Sequence, residues 1–317
     1  MGNSLDLKDF RITSVSGKIP QTVVTEAAVP GVEALPPSPL GLLAPLAGTW
    51  KGPGFNQIWR PFHGSQDRFL ELNETTEELQ FVEIPGDIPN RGFLQADMNL
   101  HGLTYLQKVT DATLHAGIHI EPGIWVNIPL TTNPADPATV ARLATIPHGT
   151  SLVAQGTALR VAGPPIFTPV SIKPFPIGGG APINFPEQNL ATPSAFRTVH
   201  ADIPHVTQAM VDNPNVVLAA GIAGKTITST TVIKISTKVP PGPPTTGGGT
   251  SNIAFLKGAA GGPNADAIQM DAIFWIEEFK DSSGVKHTQL QYTQTVLLNF
   301  NTLSWPHVSV ATLLKQP

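Results

Sequence analysis

From Leu42 onward the chain runs in short stretches that alternate apolar and polar residues, bounded by turn chemistry. Period-two alternation is the signature of strands that bury one face of a sheet. RFLELNETT, ELQFVEI, FLQADMNLHGLTYLQKV and AGIHIEPGIWVNI come first, divided by turns such as Pro85-Gly86-Asp87 and Pro89-Asn90. SLVAQGTALRVAG, KTITSTTVIKISTKV and SNIAFLKG follow, and three long strands close the chain: DAIQMDAIFWIEEF, KHTQLQYTQTVLLNF and LSWPHVSVATLLKQP. Helical patterns are few. NPADPATVARLATI reads as a helix, with Asp136 as cap, Pro137 in the first turn, and Val140, Leu143 and Ala144 along one side. A second short helix is expected from Pro204 to Val211. About ten or more strands with almost no helix, and no βα alternation, make an all-β protein. Hairpin meanders without an internal repeat favour a single closed antiparallel β-barrel. Residues 1–40 read as an N-terminal arm, and 41–317 as the barrel domain with Pro/Gly-rich insertions. Trp50 is expected to pack at the barrel's closing end.

Two strands carry most of the candidate chemistry. The last one places His307, Ser309, Ala311 and Leu313 on one face, and Val308, Val310, Thr312 and Leu314 on the other. Both faces are largely apolar, yet an imidazole stands near the strand's start beside small residues. AGIHIEPGIWVNI sets Ile118, Ile120, Ile124, Val126 and Ile128 against His119, Glu121, Trp125 and Asn127. A barrel wetted outside would hide the isoleucine face and send His119 outward. A barrel covered by its own loops could turn the mixed face to the lumen, and the pattern leaves both arrangements open.

Composition narrows the choice of chemistry. The chain has 317 residues, 32 of them Pro and 29 Gly, and only 13% are charged. A net charge of −4 gives no basic footprint for nucleic acid. The absence of cysteine excludes disulfides, zinc–thiolate sites, iron–sulfur clusters and thiolate-ligated haem. Any metal must be held by His, carboxylate or another oxygen ligand. No run approaches the ~18 apolar residues of a membrane span, and MGNSLDLKDF lacks the apolar core of a signal peptide. The expectation is a soluble cytoplasmic protein with neither a membrane nor a nucleic-acid partner.

Other clusters are weaker. The proline between His200 and His205 breaks the spacing a metal site with Asp202 would need. His148 sits in a Pro-His-Gly turn. Glu77-Glu78 and Glu277-Glu278 are adjacent pairs, whose side chains point to opposite faces of a strand. The Gly-rich runs at 178–180 and 247–249 lack the Lys-Ser/Thr and following helix of a phosphate loop, and no G-x-S-x-G elbow is present.

Four pieces in order resemble the nitrobindin family of haem-binding β-barrels, which are related in shape to fatty-acid-binding proteins. They are LAPLAGTWKGPG, with Gly48, Trp50, Gly52 and Gly54; IHIEPGIW; LVAQGTA; and WPHVSVATLLK. The penultimate strand, QLQYTQTVLL, is also similar. The likeness covers barrel elements between about Leu42 and Lys315 but not the arm, nor much of 129–148 and 160–265. It implies haem b, with His307 as the axial iron ligand and Ile118, His119, Gln155 and Leu297 facing the pocket. His119 would stand as the candidate catalytic imidazole. Neutral imidazole is a good iron ligand, and small Ser309 and Ala311 leave width for a porphyrin edge. Five-coordinate iron would leave a face open to NO, peroxynitrite or peroxide, the small-molecule partner so implied, with isomerase-like or peroxidase-like chemistry to follow. The Pro-rich excess length would roof the pocket or admit an organic substrate. Two other classes stand beside this one. A non-haem carrier of an apolar small molecule, such as a fatty acid, would use the same barrel without needing His307. An assembly protein whose long loops matter more than its lumen would form homo-oligomers.

Overall fold

A computed structural model describes residues 30, 32, 35–63, 67–257, 264–281 and 283–317. Its strands, in chain order, are β1 (Gly48–Arg60), β2 (Phe69–Glu83), β3 (Ile88–Asn90), β4 (Met98–Asp111), β5 (Gly117–Ile128), β6 (Thr139–Ile146), β7 (Thr150–Ala162), β8 (Phe175–Pro176), β9 (Thr226–Ser236), β10 (Gly249–Asn252), β11 (Asp266–Lys280), β12 (Lys286–Phe300) and β13 (Leu303–Lys315). Ten of these, in the order β1-β2-β4-β5-β6-β7-β9-β11-β12-β13, form an antiparallel barrel. The barrel closes where β13 returns to β1, with Trp50 opposite Lys315 and Ile58 opposite His307. Closure gives each of these ten strands a neighbour on both sides. The expected all-β barrel is therefore present, and its shape agrees with the barrel that the nitrobindin resemblance implies. Strands β3, β8 and β10 pair onto the outside of this path.

Two apolar cores share the barrel wall. The inner one gathers Trp50, Leu79, Phe81, Leu103, Trp125, Phe274, Leu290 and Leu313. A 3₁₀ turn over Gly41–Leu46 stops that end, where the Trp50 indole N–H donates to the Leu46 carbonyl at 2.7 Å, as expected of Trp50. The outer core joins Phe55, Trp59, Leu70, Leu72, Trp305, Val308 and Val310 of the wall to Ile172, Ile203, Val206 and Leu218 of the 163–222 insertion. Hydrogen bonds pin the insertion down: Trp59 Nε1 to the Ile172 carbonyl at 2.9 Å, Gln57 Nε2 to Met210 at 2.7 Å, and Gln291 Nε2 to Leu218 at 2.9 Å. Hence β13 is apolar on both faces. Ala311 and Leu313 fill the barrel, while Val308 and Val310 lie under the insertion.

Two readings need correction. The stretch from Asp136 is not a helix: residues 139–146 form β6, between β5 and β7. A helix-like apolar spacing arises because the residue between Ala141 and Leu143 is Arg142, a charged side chain buried inside the barrel. The helix expected at 204–211 lies further along, as α1 (Gln208–Asp212) and α2 (Asn215–Ile222), with Thr207 capping the first. The segments outside the family likeness also hold barrel strands, β6 and β9. The arm falls mostly outside the described residues. Among those described, no helix is long and apolar enough to cross a membrane.

Candidate functional site

The barrel end opposite the 3₁₀ stopper holds a cavity of about 500 Å³. Strand alternation delivers its wall: β1 contributes Asn56 and Ile58, β2 Glu71, Asn73 and Glu77, β4 Gln107 and Val109, β12 Tyr292, Gln294, Val296 and Leu298, and β13 His307 and Ser309. Three imidazoles border it, His119, His148 and His307.

The mixed face of β5 thus turns inward. Glu121 and Trp125 are fully buried, while Ile120 and Ile124 are 45% and 37% exposed on the outside. Ile118 and His119 both reach the cavity although they are consecutive, because the β4–β5 register passes from Val109↔His119 to Thr110↔Gly117. Ile118 is the extra residue of a bulge, which re-aims its side chain. Of the residues implied by the family likeness, the structure brings together Ile118, His119 and His307. Gln155 and Leu297 are not in the cavity wall. Gln155 donates to Thr139 Oγ1 at 2.9 Å, on the face opposite the interior-packed Leu152 and Ala154. Leu297 lies between two wall residues, Val296 and Leu298, and so points the other way.

His307 is the deepest imidazole. Burial, reinforced by charge on His119 and His148, pushes its pKa down to about 3, so the ring is neutral. A directional relay settles its tautomer. The Asp111 carboxylate accepts Asn73 Nδ2 at 2.8 Å, and is anchored by the backbone N–H groups of Thr113 and Leu114. Asn73 Oδ1 therefore faces Asn56 and accepts its Nδ2 at 3.2 Å. That leaves Asn56 Oδ1 turned to the β13 side, where Ser309 Oγ donates to it at 2.9 Å and His307 Nε2 lies at 2.6 Å. A carboxamide oxygen only accepts, so His307 carries its proton on Nε2 and its lone pair on Nδ1.

His119 belongs to a second network. Its Nε2 lies 3.3 Å from Glu121 Oε2. Glu121 pairs with Arg142 and accepts from the Tyr105 hydroxyl, and Arg142 donates to Tyr105 Oη at 2.8 Å and to Gln294 Oε1 at 2.6 Å. Burial alone would raise the Glu121 pKa, but the guanidinium and the hydrogen bonds from His119 and Tyr105 outweigh it and hold it near 2. Glu121 is thus no rim residue; it anchors His119 to the barrel interior. The His148 ring sits 5.8 Å from that of His119, and burial lowers its pKa.

The polar part of the wall eluded sequence reasoning. Glu77 is almost fully buried and accepts Tyr292 Oη at 2.5 Å, Gln107 Nε2 at 3.2 Å and Thr75 Oγ1 at 3.1 Å. Burial raises its pKa against those three donors. A signal was available in β2: Glu71, Asn73, Thr75, Glu77, Leu79 and Phe81 share one face, and the change from polar to apolar marks where cavity gives way to core. Among the described residues, no group of three or more His, Asp or Glu could hold a metal ion.

No protein-family model matches the chain, and no curated protein matches it. Among solved structures it is similar to the crystal structure of Rv2717c from M. tuberculosis, at 14% identity and a TM-score of 0.39. The match spans 88% of this chain and 98% of that one.

Proposed function

We propose that the cavity binds haem, with His307 as the axial ligand, and that the bound iron offers an open face to NO, peroxynitrite or peroxide. The observation that carries this reading is a neutral imidazole on the wall of a 500 Å³ cavity at the open end of a closed barrel. The donor fits in kind, since neutral imidazole is a good iron ligand. Ligation through Nε2 would need the ring proton to move from Nε2 to Nδ1 and would replace the hydrogen bond to Asn56. When bound, haem supplies the redox and ligand-binding chemistry, and the protein supplies orientation and proton control. His119, held by Glu121, is placed to accept or return a proton in the cavity. The apolar residues Val109, Ile118, Ile146, Val296 and Leu298 would keep water from the ligand.

The test is a visible absorption spectrum of protein expressed with haem supplied, before and after reductant and NO. A Soret band that shifts with NO, and is lost or much weakened in a folded His307→Ala variant, is the expected result. An unchanged band in that variant removes the ligand assignment.

One observation favours a second reading, a non-haem carrier of a small molecule. His307 Nε2 is already engaged by Asn56, and the polar wall around Glu77 offers hydrogen-bonding groups that an axial ligand does not use. A protein that stays colourless with haem but takes up an amphiphile would establish it.

A further inference from the structure

The polar wall has a sign. Among the described residues that line the cavity, none is Lys or Arg. Two cations that touch lining residues are already taken: Arg60 Nε lies 2.9 Å from Glu71 Oε2, and Arg142 is committed to Glu121, Tyr105 and Gln294. His307 and His148 are shifted toward their neutral forms by burial, and His119 faces the Glu121 carboxylate. Against this stand two carboxyl groups, Glu71 and Glu77, and the amides of Asn56, Asn73, Gln107 and Gln294. Glu71 has its arginine, whereas every partner of Glu77 is a neutral donor: Tyr292, Gln107 and Thr75. Ile58, Val109, Ile118, Ile146, Val296 and Leu298 make an apolar part of the wall, and Thr150, Asn264, Tyr292 and Ser309 add further polar groups.

We propose that this cavity selects an amphiphile with a protonated amine head, seated against Glu77, and rejects one with a carboxylate head. The proposal rests on the cavity being a ligand site, and not on haem. A carboxylate in the polar part would bring no donor to Glu77, whose ionised form burial already disfavours, so either two like charges meet in a low-dielectric interior or one of the pair must take up a proton. The incoming carboxylate would find the Tyr292 and Gln107 donors already given to Glu77. An ammonium brings three N–H donors and the positive charge that the wall lacks, and an alkyl tail would lie on the isoleucine, valine and leucine side. The same polarity sets a limit on haem, whose acidic groups must then remain away from Glu77.

The experiment is calorimetric titration of the full chain at pH 7 with dodecylamine, dodecanol and dodecanoate, each below its micelle concentration. The amine is expected to bind at least tenfold tighter than dodecanoate, with dodecanol between them. Glu77→Gln is expected to bring the amine-to-acid ratio below twofold. Ser309→Trp, which fills the cavity, is expected to abolish binding of all three. Dodecanoate binding as tightly as the amine overturns the proposal and leaves the ligand site standing. So does a ratio that survives Glu77→Gln, whereas amine binding that survives Ser309→Trp overturns the proposal and places the binding outside the cavity. If Glu77→Gln does not fold, the wild-type ratio alone decides. Failure of all three probes removes the carrier reading and this proposal together, while a haem titration followed at the Soret band on the same protein reports on the haem reading separately.

Discussion

Asp111 dictates which ring nitrogen of His307 carries the proton, although two carboxamides separate them. The carboxylate accepts only, so it orients Asn73, Asn73 orients Asn56, and Asn56 requires an N–H from the imidazole. Four side chains from β4, β2, β1 and β13 therefore act as one unit across the barrel seam.

Asn56→Val removes the acceptor that competes for His307 Nε2. A hydrogen bond of this kind contributes about 1 kcal/mol net, so haem affinity is expected to rise about fivefold if iron takes that nitrogen. Haem titration of wild type and variant measures it. Equal or weaker affinity in the variant would show that Nε2 is not the ligating atom.

Arg142 and Glu121 form a buried ion pair beneath Trp125 and Phe274. Arg142→Met leaves the carboxylate without its cation and is expected to cost about 3–5 kcal/mol in denaturant unfolding. Arg142→Met combined with Glu121→Leu is expected to cost clearly less than the single change. A double variant weaker than the single one would mean that the pair is held by packing rather than by charge.

Glu277 lies on the outer wall, fully buried, with Gln289 Nε2 donating to Oε2 at 2.6 Å and no hydrogen-bond partner for Oε1. Burial raises its pKa to about 8 against the Gln289 hydrogen bond and the Lys225 charge. Between its unfolded and folded pKa values, the folded chain holds a proton that the unfolded chain has lost. That contribution is complete below about pH 4.5 and is lost as pH rises through 8. Relative to wild type, Glu277→Gln is expected to gain about 1.4 kcal/mol per pH unit across that window. Parallel stability–pH curves for the two proteins would refute the assignment.

Trp50→Ala is expected to cost about 3–5 kcal/mol, from lost burial and from the Leu46 carbonyl left without its donor. The cavity lies at the other end of the barrel, so ligand uptake by the folded fraction should not change. Loss of uptake with intact folding would show that the two ends are coupled.

What could be read from the chain follows from which residues advertise their surroundings. Period-two alternation at Trp50, His307 and Ala311 reports the inward face correctly because β1 and β13 have no irregularity there. The β5 pattern is ambiguous from sequence because the barrel exposes Ile120 and Ile124 and buries Glu121, an inversion stabilised by Arg142, Tyr105 and His119. The same arginine disguises β6 as a helix, since partner and pairing are invisible along the chain. Leu297 shows how sharply a face depends on register: one residue to either side lines the cavity, and it does not. The relay from Asp111 to His307 spans 196 positions and has no local signature at all.

The insertion over β1, β12 and β13 also divides the wall into two regimes of substitution. Val308, Val310 and Trp305 are sealed from both sides, so almost any exchange there disturbs one core or the other. Across the barrel, Ile124, Leu143 and Val153 stand in register on the uncovered outer face, each between 37% and 44% exposed. In a chain without a single cysteine, a thiol introduced at Leu143 or Val153 becomes the sole attachment point for a spectroscopic probe or surface tether, one strand thickness from the lumen. The bare side of the barrel is thus a handle by which its interior can be watched without being touched.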